Sequence, residues 1–182
     1  MGKVAKGMCR IVKTPDVRKM DLLSLIQWCR EVLADTPVSK LVAGSFLKHE
    51  EFRQCSTSTL GNEIRAIEAR PSLKGECKHC AVGTLLLADG IKAAKEFAAF
   101  IDDDYRSEGF AAQPAWVKLF CGISRAFEGR AGEMSDTGDY IPVKKALRKK
   151  DAIAYLDKMY DAINAGDGAE SADPNWNSSE VQ

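Results

Sequence analysis

No apolar run in this chain approaches the roughly 18–20 residues needed to cross a bilayer, and its polar start lacks the apolar centre of a secretory signal. Both absences argue against a membrane span or export and lead to the expectation of a cytoplasmic protein without a membrane partner. Gly2 stands where N-myristoylation begins, but Lys6 occupies the place where that motif takes Ser or Thr. Histidine is limited to two residues, His49 and His79, which leaves little general acid–base inventory. No Walker loop or dinucleotide fingerprint occurs, so nucleotide cofactors have no support. The stretch Gly122-Ile123-Ser124-Arg125-Ala126 lacks the last glycine of a nucleophile elbow and lies inside a helical pattern. Six cysteines among 182 residues are too few to replace a core with disulfides, so reduced thiols are expected. No internal repeat is present.

What the chain has is hydrophobic material for one core. Residues classed as hydrophobic make up 45% of it, enough for a single domain of this length and little more. The 26 basic and 26 acidic residues cancel, so nothing global demands a polyanionic partner. Locally the signs separate. Residues 1–19 carry six bases against Asp16 alone, and 166–182 carry Asp167, Glu170, Asp173 and Glu180 with no base. A basic N-terminal arm (1–19), one helical domain (20–165) and a disordered acidic tail (166–182) follow from this pattern, the tail because it has too few apolar groups to offset ordering.

Apolar spacing assigns the helices. Asp21 caps a first helix with Leu22, Leu25, Ile26, Cys29, Val32 and Leu33 on one face. Thr36-Pro37 opens a second, on which Val38, Leu41, Val42, Ser45, His49 and Phe52 align. Leu60, Ile64 and Ile67 mark a third, ended by Pro71. From Cys80 to Ala88 the sequence is apolar nearly all round, as a central buried helix is; Asp89-Gly90 breaks it, and Ile91 to Ile101 return as a helical hairpin. Pro114 opens a helix with Trp116, Leu119, Phe120, Ile123 and Phe127 inward. A loop follows at 130–140, then a short helix from Pro142 and a last one capped by Asp151. The fold class is therefore all-α, a compact bundle of about seven or eight helices. The stretch 8–12 reads as a strand or an ordered arm.

The densest chemistry is Cys77-Lys78-His79-Cys80. Two thiolates at this spacing can grip one zinc ion, with His79, His49 and Cys55 as the nearest supplements; the second half of a four-ligand site is missing from the sequence. The same pair at a helix start, beside Lys78, fits a redox couple, although such couples follow a strand in a βαβ setting. The plain alternative makes Cys80 a small buried hydrophobe and Cys77 a partly exposed thiol, with Cys29 and Cys121 also structural. Glu76-x-x-His79 is half of a di-iron unit whose other half is absent. Asp157 and Asp161 share a helix face, an ordinary arrangement for solvated carboxylates.

The remaining candidate is a basic surface made of Arg130, Lys144, Lys145, Arg148, Lys149 and Lys150. With catalytic machinery this sparse, the expectation is a non-catalytic binding or regulatory protein whose partner is another protein, with no cofactor. Two alternatives stand beside it: zinc or thiol chemistry at Cys77, His79 and Cys80, and phosphate-directed nucleic-acid binding by the basic segments. The string Cys80-Ala81-Val82-Gly83 resembles those of small bacterial and phage proteins; that resemblance implies a microbial or viral accessory protein and transfers no function.

Overall fold

The structure, a computed structural model, describes residues 14–50, 59–102, 110–129, 133–134, 140–141 and 144–177. Eight α-helices occur among them: α1 (Leu22–Asp35), α2 (Leu60–Ala69), α3 (Leu73–Glu76), α4 (Ala81–Ala88), α5 (Ala94–Asp102), α6 (Ala115–Glu128), α7 (Lys145–Ala165) and α8 (Ala169–Ala172). Two antiparallel ribbons of two-residue strands accompany them, β1 (Leu47–Lys48) with β2 (Lys78–His79), and β3 (Glu133–Met134) with β4 (Tyr140–Ile141). The helical bundle expected from the spacing is present. No helix among the described residues is long and apolar enough to cross a membrane.

Each helix sits where its apolar face dictates. Asp21 caps α1 by accepting from the Ser24 amide at 2.9 Å, and Leu25, Ile26, Cys29 and Leu33 are buried. Helix α4 is buried from Ala81 to Leu87, as an all-round apolar helix must be, and packs against α1 and α6. Helix α7 lies along α1 and α6 and closes the bundle. Phe97 of α5 joins this core through ring contacts to Trp116, at 6.1 Å, and Phe120, at 5.8 Å, on α6. One hydrophobic cluster runs from Val17 to Trp176, so the described residues share a single core.

Five expectations need correction. The helix expected from Pro37 is only a 3₁₀ turn (Val38–Lys40), followed by extended chain. Gly44 takes a left-handed φ of +72°, which interrupts any helix there. The backbone from 41 to 48 is instead satisfied by β2: the Val42 amide donates to the His79 carbonyl at 3.0 Å, and the Cys80 amide to the Phe46 carbonyl at 3.1 Å. Next, α5 packs mainly on α2 rather than folding back on α4. Third, Asp151 is not the N-cap of a last helix. It lies within one continuous 21-residue helix, because 148–152 contain no breaker.

The last two corrections concern the ends. At the N-terminal end, order begins before residue 20. Val17 is buried, its amide donates to the Asp89 carboxylate at 3.1 Å, and Arg18 pairs with Asp16 and Glu96. Residues 1–13, including 8–12, lie outside the described residues. At the other end, 166–177 are not disordered. Ala169 and Ala172 of α8 and the indole of Trp176 are buried, and Lys118 lies over that ring at 5.6 Å. Asp173 accepts hydrogen bonds from Tyr155 Oη at 2.8 Å and Arg125 Nη2 at 2.7 Å. Three small contacts and one buried aspartate outweigh a composition that is mostly polar. Residues 178–182 lie outside the described residues.

Candidate functional site

The Cys-Lys-His-Cys corner sits where α3, β2 and α4 meet. Cys77 ends α3, its amide donating to the Leu73 carbonyl at 2.9 Å. Cys80 is the N-cap of α4, and its Sγ accepts from the Gly83 amide at 3.4 Å, as a serine oxygen would. Gly83 is required by proximity: a Cβ there would overlap the Phe46 carbonyl oxygen. Both thiols are buried, including Cys77, which the sequence left partly exposed. Burial pushes Cys77 up to about 11, helped by Glu63 and Glu76, and pushes Cys80 up to about 12. Protonated thiols of this kind are poor nucleophiles at neutral pH. Cys121 is held near 12 and Cys29 is also raised, both by burial.

His79 is buried between the two cysteines. Its Nδ1 lies 2.6 Å from Thr84 Oγ1, and the Thr84 hydroxyl donates to the Cys80 carbonyl at 3.0 Å. A hydroxyl has one hydrogen, so with Thr84 donating to the Cys80 carbonyl its oxygen accepts from His79 Nδ1–H, the arrangement that leaves the lone pair on Nε2. Burial, with the Lys40 charge as a second cause, lowers its pKa and favours the neutral ring. His49 stands elsewhere, with Nε2 3.5 Å from Glu76 Oε2. Cys55 lies outside the described residues. Among the described residues, no group of three or more His, Cys, Asp or Glu side chains is placed to hold a metal ion. Asp157 pairs with Arg30 of α1, an interhelical role the spacing did not anticipate.

The basic cluster divides in two. Arg148 is buried, and its Nη1 donates to the Phe127 and Glu128 carbonyls at 3.1 and 3.0 Å, the last carbonyls of α6. Lys149 donates to the Ala34 and Thr36 carbonyls, each at 2.8 Å, at the end of α1. Each therefore satisfies orphan carbonyls at the negative end of a neighbouring helix. Sequence reasoning took both for free surface charge; a base 20 to 115 residues from its target along the chain carries no local signal of such a cap. The side chains of Lys144, Lys145 and Lys150 are exposed and make no hydrogen bond or ion pair among the described residues. Arg130 lies outside the described residues.

These three lysines occupy an unusual place. They crowd the N-terminal turns of α7, whose first turn has no acidic residue and whose cap, Lys144, provides no side-chain hydrogen bond. The positive end of the helix dipole favours anions there, and a cation in the first turn, where Lys144 and Lys145 stand, costs about 0.3–1 kcal/mol. Leu147, between them, is 43% exposed. Val38, on the 3₁₀ turn that packs against α7, is 37% exposed. They are the two large apolar side chains left open among the described residues.

Comparison of the chain with known protein families, with curated proteins and with solved structures finds no match. Function therefore rests on the two regions just described.

Proposed function

We propose that this chain is a non-catalytic binding or regulatory protein that docks an acidic, amphipathic segment of another protein on the N-terminal turns of α7. The observation that carries the reading is the exposure of Lys144, Lys145 and Lys150 together with Leu147 on the first two turns of α7, Lys144 and Lys150 standing three residues either side of Leu147. Charge there works against the helix itself. An anionic partner would reverse the sign of that penalty, because its carboxylates would meet both the ammonium groups and the dipole, while an apolar side chain covers Leu147. Unfavourable local charge beside an open apolar residue is what a binding surface leaves behind when the partner is absent. The Cys77–Cys80 corner gives less support to catalysis: its thiols are protonated and its imidazole is engaged at Nδ1.

The test uses defined probes. A short helical peptide with one leucine face and one glutamate face should bind saturably, and Lys144→Glu, Lys145→Glu and Lys150→Glu together should abolish the binding. Polyglutamate should bind more weakly, since it offers nothing to Leu147. Tighter binding to a short DNA duplex than to the peptide, with affinity falling steeply in salt, would replace this reading with nucleic-acid recognition.

A further inference from the structure

A cleft of about 460 Å³ opens between α1, α3 and α4, and none of the α7 lysines lines it. That volume falls among those of small-molecule sites, which are mainly apolar with a few placed polar groups. Val32 and Leu87 supply apolar wall, while Asp35, Lys40, Lys74 and His79 supply polar groups. The charges sum to one net positive, which suits a monoanion. Lys40 is held in place by donating to the Gly75 carbonyl at 2.7 Å, and its ammonium retains two further donors. Lys74 is exposed, and its side chain makes no ion pair or hydrogen bond among the described residues.

The fourth group gives the cleft its specificity. The hydroxyl of Thr84 fixes the Nδ1–H tautomer of His79, so Nε2 is an acceptor, and it makes no hydrogen bond among the described residues. An unengaged acceptor in a cleft that Lys40 and Lys74 also line defines the complementary ligand. It needs one anionic group, one O–H or N–H donor and an apolar body between them.

We propose that this cleft binds a small hydroxy- or amino-substituted carboxylate: the carboxylate pairs with Lys40 and Lys74, the donor reaches His79 Nε2, and the apolar body rests on Val32 and Leu87. The site is separate from the α7 surface, and neither reading depends on the other. A phosphate monoester is disfavoured because its second charge exceeds the single net positive charge of the lining.

Imidazole nitrogen resonances read the site directly. The chain has two histidines, so His49→Gln leaves the His79 ring alone in a long-range proton–nitrogen spectrum. The free protein should show a protonated Nδ1 and an unprotonated Nε2. Para-hydroxybenzoate and para-hydroxyphenylacetate are the probes, with benzoate and para-hydroxybenzamide as analogues lacking the donor or the charge. The hydroxy acids should shift Nε2 saturably with Kd at or below about 1 mM, the range of fragment binding. Benzoate, and the Lys74→Glu variant with either acid, should bind about tenfold more weakly, the loss expected for one charge-assisted hydrogen bond. Lys144→Glu with Lys145→Glu should leave binding unchanged, which separates this site from the α7 surface. A protonated Nε2 in the free protein overturns the proposal. So does equal affinity for the amide, or no saturable shift with either hydroxy acid at about 10 mM, an order of magnitude above that range.

Discussion

The Cys77–Thr84 corner and the first turns of α7 teach opposite lessons about residue type. The corner holds the most reactive side chains in the sequence, yet its imidazole is neutral and tied to Thr84, and its thiols are buried and protonated. The α7 turns hold ordinary lysines, three of them without a partner among the described residues and set against the helix dipole. Reactivity on paper gave way to packing in the first region. In the second, plain charge was left where it lowers stability. What separates the regions is how far the fold engages their side chains: Thr84 holds His79 at Nδ1 in the first, and nothing among the described residues holds the three lysine side chains in the second.

Substitutions should expose that contrast most sharply inside the corner. Gly83→Ala forces a methyl against the Phe46 carbonyl, and either α4 or the 41–48 segment must move. A loss of about 3 kcal/mol in urea unfolding is expected, at the upper end of overpacking costs. A change under about 0.5 kcal/mol would mean the corner is loosely packed.

Next in size is a comparison within the basic cluster itself. Arg148→Ala leaves two carbonyls at the end of α6 without their donor and should cost about 2 kcal/mol. Lys150→Ala, two residues away and exposed, should stay within about 0.5 kcal/mol. Equal effects would erase the division between capping and free bases.

Thr84→Val should cost about 1 kcal/mol, since it removes the hydroxyl that accepts from His79 Nδ1 and donates to Cys80. The same change should free the imidazole to sample both tautomers, visible in its nitrogen shifts.

The pH response should be smaller and two-sided. A histidine whose folded pKa is depressed takes up its proton later than the unfolded chain does. Its contribution is therefore complete above the ordinary value of about 6.5 and is lost as pH falls below it toward the folded value. Thiols raised by burial act in the other direction. Their contribution is complete below about 8.5 and declines as pH rises toward about 11 for Cys77 and about 12 for Cys80. His79→Gln should remove the acid-side decline, and Cys77→Ala should reduce the alkaline one, in urea midpoints measured across pH.

Much of the bundle could be read from spacing alone, because burial imposes its period on the helices that carry it. The all-round apolar stretch Ala81 to Leu87 and the stripe through Trp116, Phe120 and Phe127 both ended in the core. Long-range effects escaped. Val38, Leu41 and Val42 have helical spacing, but the chain there pairs with His79, and only Gly44 hinted at it. Trp176 looked isolated in a polar tail, yet it is an anchor, since one indole buries as much area as several aliphatic groups. The candidate site was visible as residues and hidden as roles. Five bases at 144–150 are plain in the sequence, and which of them cap α1 and α6 depends on helices far away in the chain.

The most direct test follows Lys144→Glu and Lys145→Glu in two assays, urea unfolding and binding of the leucine–glutamate helical peptide. Removing two cations and placing two anions at the positive end of α7 should raise stability by about 0.3–1 kcal/mol per site, while binding falls by more than about tenfold. Stability gained as binding is lost would establish that these lysines serve a partner and not the fold. Lower stability, or peptide binding that is unchanged, would contradict the account.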